Sequence, residues 1–201
     1  TGTSTGTSTD TGTTSAAPEP SSIDINKYLL NVGDVGGGFV TGTYTPATTG
    51  QPCTPDEPPL NEKIPSRAAG GRTFDNAKVG AEFGEQVLIY RDEATAKQAL
   101  AAGEHGMDCK TGKVFYDDGT TGSVTITSVS ADLSSELDTP VDDSAAWSLE
   151  NSDLKGSLIV VRSGVKLVVL TFSANADADT TSLPDSLKLT NAAVSRAING
   201  Q

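Results

Sequence analysis

The sequence predicts an α+β domain, in which helices pack on a mainly antiparallel β-sheet. Segments with helical and strand-like periodicity follow one another in the order helix, strands, helix, strands, helix. The strand-like segments are joined by short turn signals typical of antiparallel hairpins, the clearest being Ser163–Gly164. Residues 23–201 have the length of a single domain that buries a substantial core.

The first folded segments are predicted to be short. Residues 24–31 are predicted to form a helix that ends at Gly33 and the glycines after it. Residues 39–45 follow as a strand. Residues 45–59 are rich in proline, so we expect an irregular loop there, around Cys53.

The middle of the chain predicts strands followed by a helix. Residues 72–75 and 79–91 are predicted strands, and the second places alternate apolar residues on one face, with Glu85 as the exception. Asp92 is a suitable N-cap for a helix over residues 93–106. The helix is expected to lie close against the sheet, because its buried stripe is thin: Ala96, Leu100, Gly103 and Met107.

The strongest strand signal lies in the C-terminal half. Residues 123–130 and 145–150 have strand alternation, and residues 157–162 and 165–172 form a predicted hairpin. Because the hairpin is apolar on both faces, we expect it at the centre of the sheet, covered on both sides. A last helix is predicted to begin near Ser182. It has Pro184 in its first turn, Gly200 beyond its end, and an apolar face of Leu183, Leu187, Val194 and Ile198.

Charge and hydropathy argue against several kinds of partner. The formal net charge of −12 argues against nucleic acid and against an anionic membrane surface, because both bind basic patches. The acidic residues are spread along the chain, which favours a role in solubility over a cation-binding surface. No apolar run approaches the ~18 residues that a membrane-spanning helix needs.

Cys53 and Cys109 are the two cysteines of the chain. A cysteine pair in an exported protein is usually a disulfide, whereas in a cytosolic protein the same residues would be two buried thiols. We predict the disulfide, because residues 1–22 consist almost wholly of Thr, Gly, Ser, Ala and Pro, as expected for a flexible spacer of an exported protein. A zinc site is not expected, since two cysteines and His105 lack the usual ligand count.

The sequence contains no strong catalytic motif. His105 is the only histidine, and its place at a predicted helix end favours a surface or capping role over a Ser-His-Asp or Cys-His arrangement. Asp138, Asp142 and Asp143 flank a proline. Paired carboxylates can hydrolyse glycosides, but Asp-rich turns are common. We therefore predict no catalytic residue and no cofactor.

Asn175, Asp177 and Asp179 have the spacing that opens a calcium-binding loop. That loop needs glycine at its sixth position and glutamate at its twelfth, where this chain has Thr180 and Ser186. A solvated loop is the favoured interpretation, so no metal ligand is predicted.

Aromatic side chains are candidates for lining a sugar or lipid cleft. The alternative, which we favour, is that they are ordinary core and rim residues. The residues concerned are Tyr28, Tyr44, Tyr90, Tyr116 and Trp147.

Four blocks of the chain occur in an order that resembles the PknH-like extracellular sensor domain family. The blocks are GEQVLIYRDEATAKQAL, Cys109, VDDSAAWSL and LIVVRSGVKLVVLTF, and the resemblance runs from about Tyr28 to Ile198. That family occurs at the outer end of some mycobacterial receptor serine/threonine kinases and in many actinobacterial lipoproteins. The resemblance implies an exported module with a sheet, flanking helices and a ligand-binding cleft, and it implies no enzymatic activity. The PknH sensor domain carries two disulfides, whereas this chain has cysteines for one.

Residues 1–22 are thus predicted to be a disordered tether and residues 23–201 a sensor-like, ligand-binding domain. We expect a non-enzymatic protein outside the cell or in its envelope. Its anchor would be a lipidated cysteine before Thr1, lost with an export signal, or a fusion to another protein. The expected ligand is small or derived from the cell envelope. The alternative is an adhesion or scaffold lipoprotein that acts through protein–protein contacts, and an enzyme ranks third.

Overall fold

An eight-stranded sheet in which every pair of neighbours is antiparallel organises the protein. The structure is a computed structural model that describes residues 23–36, 38–116, 119–129, 133–178 and 185–200. The strand order is β1-β2-β3-β8-β7-β6-β5-β4. The strands are β1 (Val40–Thr41), β2 (Ala68–Asn76), β3 (Ala81–Ile89), β4 (Thr111–Phe115), β5 (Thr121–Ser128), β6 (Asp143–Glu150), β7 (Leu154–Ser163) and β8 (Lys166–Asn175). The predicted α+β class and single domain are confirmed.

Helices cover both faces of the sheet. The helices are a 3₁₀ helix (Ile25–Tyr28), α1 (Val32–Val35), α2 (Leu60–Lys63), α3 (Glu93–His105), α4 (Leu133–Glu136) and α5 (Ser186–Asn199). The two long helices lie on opposite faces, α3 on one and α5 on the other, and the short ones flank them.

The β7–β8 hairpin lies at the centre of the sheet, as predicted from its apolar residues. Its loop lies one residue later than predicted, because Ser163 pairs with Lys166 and leaves Gly164 and Val165 to make the turn. Gly164 has φ +56°, a conformation that favours glycine.

One face of the sheet, which we call the closed face, is covered by α5 and the 3₁₀–α1 segment. Helix α5 buries Leu189, Ala193, Val194 and Ala197 against residues such as Phe83 of β3. These side chains pack between helix and strands and form the larger apolar core of the domain.

The opposite face, which we call the cavity face, is covered by α3. The Asp92 side chain accepts a hydrogen bond from Thr95 N at 2.7 Å and starts this helix, as predicted. Its buried residues are three small ones and one large one: Ala96, Ala99, Gly103 and Leu100. Since small side chains fill little volume, α3 leaves room above the strands.

Several predicted boundaries were wrong. Gly33 does not end a helix: it lies inside α1, which begins where Asn31 N donates to Asp34 Oδ2. Strand β1 has two residues instead of seven, because the chain leaves the sheet edge after Gly42 N bonds to Thr73 O. Helix α5 begins at Ser186, where the side chain of Asp185 accepts from Leu187 N.

The structure also contains strand residues that the apolar periodicity of the sequence did not predict. Strand β4 was not predicted, since it is short and gains its order by pairing with β5. Strand β2 extends beyond residues 72–75 in both directions. The tether at 1–22, Asp179, and the residues Ser182, Leu183 and Pro184 lie outside the described residues.

Candidate ligand site

A cavity of about 370 Å³ lies on the cavity face, between the central strands, α3 and the loop at 44–52. Its floor belongs to β3, β8, β7 and β6, which lie side by side in the sheet. The apolar floor residues are Leu88, Trp147, Leu158, Val160, Leu167 and Val169. The most strongly predicted strands therefore form the base of this apolar cavity.

The small residues of α3 make one wall of the cavity. Ala99 and Gly103 line it, so the helix backbone approaches closely without filling the space above the floor. The sequence predicted a thin stripe on this helix. It did not predict that the thinness would leave a cavity.

The loop at 44–52 makes the opposite wall, and two glycines let it lie close to the rest of the domain. The Tyr44 ring packs on Gly71 of β2, where a Cβ atom would collide with it. The Gln51 side chain packs in the same way on Gly106, and its Nε2 donates to Gly103 O at 3.1 Å. The wall is thus held in place at both ends.

A disulfide between Cys53 and Cys109 fastens this wall to the end of α3. Cys53 N donates to Gly106 O at 3.0 Å, and Lys113 N of β4 donates to Pro52 O at 2.9 Å. The pairing is the one that we predicted from the cysteine count. It joins the proline-rich loop to both α3 and the sheet edge.

The cavity lining also carries polar groups, from β2, β3, β8, α2 and the loop at 44–52. They are mainly hydroxyl and amide groups, together with the acidic residue Glu82: Tyr44, Thr45, Thr49, Asn61, Thr73, Glu82, Gln86 and Thr171. Burial raises the pKa of the Tyr44 hydroxyl, so this group stays protonated and neutral at physiological pH. The site can therefore bury apolar surface and offer neutral hydrogen-bonding groups.

The predicted aromatic candidates separate into two groups. Trp147 and Tyr44 line the cavity. Tyr90 is buried elsewhere, Tyr28 lies beneath Lys166 Nζ, and Tyr116 accepts a hydrogen bond from Asn151. These three are core or rim residues, as we favoured; Trp147 is also buried in the core, and a ligand-binding role for Trp147 and Tyr44 stays a prediction.

The acidic turn near β6 is an ion-pair site. The side chain of Arg162 is 10 % exposed, and it contacts Asp142 Oδ2 at 3.1 Å and Asp143 Oδ2 at 2.7 Å. Asp138 lies apart from this pair, where its N–H donates to Asn191 Oδ1. The three carboxylates therefore do not form a pair across a cleft, and two of them neutralise a buried guanidinium.

The remaining candidates lie outside the cavity lining. His105 is in the last turn of α3, and Asn175 and Asp177 are at the end of β8. Across the described ranges, no group of three or more His, Cys, Asp or Glu residues is placed to hold a metal ion. Nor is any helix in the described chain long and apolar enough to cross a membrane.

Glu85 is a polar residue inside the closed face. It is 1 % exposed, and its Oε2 accepts a hydrogen bond from Leu30 N at 2.7 Å. Its Oε1 is buried with no hydrogen-bond partner. Burial raises its pKa to about 7, and this effect outweighs the hydrogen bond from Leu30 and the charges of Arg72 and Arg196, which lower it.

Arg72, the cross-strand neighbour of Glu85, binds the same stretch of chain. Its Nη1 donates to Leu30 O at 2.5 Å and to Asn31 Oδ1 at 2.7 Å. Leu30 is thus held through its N–H by one strand and through its carbonyl by the next. The sequence pattern singled out Glu85 as an exception on an apolar face, but nothing in it identified Leu30 as the partner.

Comparison with known proteins shows a shared fold. The crystal structure of the extracellular domain of PknH from Mycobacterium tuberculosis is similar with a TM-score of 0.57 and 11% identity, over 87% of this chain and 93% of that one. An ortholog of Rv0999 from Mycobacterium smegmatis matches with a TM-score of 0.44 and 15% identity, over 87% and 96%. No family model and no curated protein matches the sequence. The chain therefore has the fold of the PknH extracellular domain, as the resemblance of its sequence blocks implied.

Proposed function

We propose that the protein is an exported, non-enzymatic sensor-like domain that binds a small or envelope-derived ligand in the cavity. The observation that carries the proposal is the cavity of about 370 Å³, with its apolar floor and its polar groups. Ligand sites are typically concave and mostly apolar, with a few polar groups and a volume of roughly 300–1,000 Å³.

Three observations support export. A disulfide persists in oxidising compartments, and this one joins the only two cysteines of the chain. Residues 1–22 have the composition of a flexible spacer, which would hold the domain away from an anchored end. The shared fold belongs, in PknH, to an extracellular domain.

The composition of the cavity lining supports binding over catalysis. Hydrolytic catalysis commonly uses a nucleophile with an adjacent base, or two carboxylates across a cleft. The lining residues include no histidine, cysteine or serine, and the one acidic turn considered for catalysis is paired with Arg162.

The adhesion or scaffold alternative has weaker support. Such a protein would expose a contiguous apolar patch of several hundred Å². Among the exposed large apolar residues, Val40 and Phe115 lie on β1 and β4, the two opposite edges of the sheet.

The test is native mass spectrometry of the protein purified from its own host. We expect a co-purified small molecule on the native protein and its loss from Val169→Phe, which fills the cavity from the floor. Thr125→Phe is the matched control, because Thr125 is exposed on β5 and does not line the cavity. An empty native protein, or equal loss in both variants, would contradict the proposal.

A further inference from the structure

The basic residues of the chain all avoid the cavity. The sequence has 14 Lys and Arg residues and one histidine, all of which lie among the residues that the structure describes. None of them lines the cavity, whereas Glu82 does. A ligand carboxylate or phosphate buried there would find no cationic partner, and burying an unpaired charge is costly.

Two basic residues on the strands next to the cavity, Arg72 and Lys166, make their contacts on the closed face. Arg72 of β2 binds Leu30 and Asn31 on the closed face. Lys166 of β8 donates to Ala197 O at 2.8 Å and to Ile198 O at 2.9 Å, at the end of α5. Each makes contacts that hold the closed face together, so neither is available to an anion in the cavity.

Polarity changes along one row of paired residues on the cavity floor. From β2 to β6 the row runs through Thr73, Gly84, Thr171, Leu158 and Trp147, each paired with the next. One half of the row offers two hydroxyl groups, and the other half offers a leucine and an indole. This arrangement matches a ligand with a neutral hydrogen-bonding end and an apolar end.

The size of the cavity limits such a ligand. At roughly 30 Å³ for each water-sized group, 370 Å³ accommodates about a dozen non-hydrogen atoms. A medium-length alkyl chain with one small polar head group is of that size.

From this geometry we infer that the cavity selects a neutral single-chain amphiphile and rejects the anionic amphiphile of the same length. The inference rests on the proposed function, and it specifies the class of ligand. The apolar chain lies over Leu158 and Trp147, and the uncharged head group hydrogen-bonds near Thr73 and Thr171. The net charge of −12 reinforces the rejection of anions.

Trp147 is the only tryptophan of the chain and lines the cavity, so its fluorescence reports occupancy directly. The full chain is titrated with decanol below its solubility limit and with decanoate below its critical micelle concentration. We expect saturable binding of decanol and at least tenfold weaker binding of decanoate, a difference of about 1.4 kcal/mol. The difference should persist at high salt, because it arises within the cavity.

A change of specificity tests the cause. In Thr171→Lys, an ammonium group enters the cavity, and decanoate should then bind at least tenfold more tightly than to the native protein. Thr125→Lys makes the same change of net charge away from the cavity and should leave the affinity for decanoate unchanged. Circular dichroism checks that both variants are folded.

The outcomes separate the two proposals. If decanoate binds the native protein as tightly as decanol, or if Thr171→Lys behaves like Thr125→Lys, the inferred selectivity is wrong although ligand binding stands. If neither amphiphile gives a saturable signal, the selectivity is wrong as well. The proposed function then fails only if native mass spectrometry also finds an empty protein.

Discussion

The two faces of the sheet differ in how they are covered, although the same strands build both. In β7, Ile159 packs into the core beneath the closed face, while its neighbour Leu158 lies at the floor of the cavity. The closed face buries more side chains because α5 contributes Leu189 and Val194, although two pockets of about 340 and 380 Å³ are lined partly by its residues. The cavity face is hollow because α3 contributes mainly alanines and a glycine there. The size of the helix side chains therefore decides whether a sheet face becomes a core or a site.

The faces also differ in how each is held together. On the closed face, apolar packing is supplemented by buried polar contacts between Glu85, Arg72 and Leu30. On the cavity face, the disulfide and a few loop hydrogen bonds hold the wall in place. The walls of the cavity have little side-chain packing to hold them in position, so the disulfide between Cys53 and Cys109 supplies a covalent restraint.

The largest expected effect comes from removing the disulfide. The sequence separation of 56 residues predicts a loss of about 4 kcal/mol of unfolding free energy for Cys53→Ser/Cys109→Ser in the chain-entropy model. Chemical denaturation measures this loss. The double variant should also fail to bind an amphiphile in the cavity, because the wall of the cavity is no longer held by the disulfide. Thiol titration of the unfolded, unreduced native protein should find no free thiol. Two titratable thiols would show that the disulfide is absent in solution.

The second prediction compares neighbouring residues of one strand. Ile159→Ala should cost about 3 kcal/mol, because Ile159 is 8 % exposed and belongs to the core under α5. Leu158→Ala should cost about 1 kcal/mol, since this side chain is only half-buried at the floor of the cavity. The two variants remove similar volumes, so equal losses on urea denaturation would refute the difference between the faces.

The third prediction concerns pH. Glu85 has a folded pKa of about 7, above the usual 4.5, so the folded state binds more protons than the unfolded state between these two values. The contribution of Glu85 to stability should therefore decrease as the pH rises from about 4.5 through 7 and then level off. Glu85→Gln cannot ionise, and it should be more stable than the native protein by about 3 kcal/mol at pH 8.

The control for this prediction is the pH profile itself. The advantage of Glu85→Gln should disappear near pH 4.5, where the native carboxyl group is also protonated. Thermal unfolding at several pH values measures both proteins. A constant offset across that range would mean that the substitution acts through packing and not through ionisation.

The smallest expected effect is a gain on the cavity face. A Cβ atom at Gly103 would meet Gln51 and Leu60 at 3.9 Å, which is ordinary contact. Gly103→Ala should thus stabilise the protein by about 0.5–1 kcal/mol through helix propensity. By contrast, Gly71→Ala should be destabilising, because its new methyl group collides with the Tyr44 ring. Thermal denaturation compares the two variants.

Elements with strong local periodicity could be predicted from the sequence. The central hairpin and α3 were predicted because their apolar residues recur with the period of a strand or a helix, and Asp92 marked a helix start. Strand β4 was not predicted, since its order comes from its pairing with β5. The short reach of β1 likewise depends on where the following loop crosses the sheet.

The cavity could not be predicted, because it depends on contacts between residues far apart in the sequence. Tyr44 reaches its place only because Gly71 lacks a side chain, and Gln51 depends in the same way on Gly106. The disulfide was predicted from the two cysteines together with the composition of residues 1–22, which suggested export. Glu85 was visible as an exception, but its burial and its partner follow from how the N-terminal segment crosses the sheet.

Both edges of the sheet are poor templates for another strand. On one side β1 has only two residues, and on the other the β4 backbone at Lys113 is already bound by the carbonyl of Pro52, a residue that has no N–H to donate. Two copies of the domain that met edge to edge would therefore meet through edges that resist strand addition. The loop that walls the cavity thus also protects the protein against edge-to-edge aggregation.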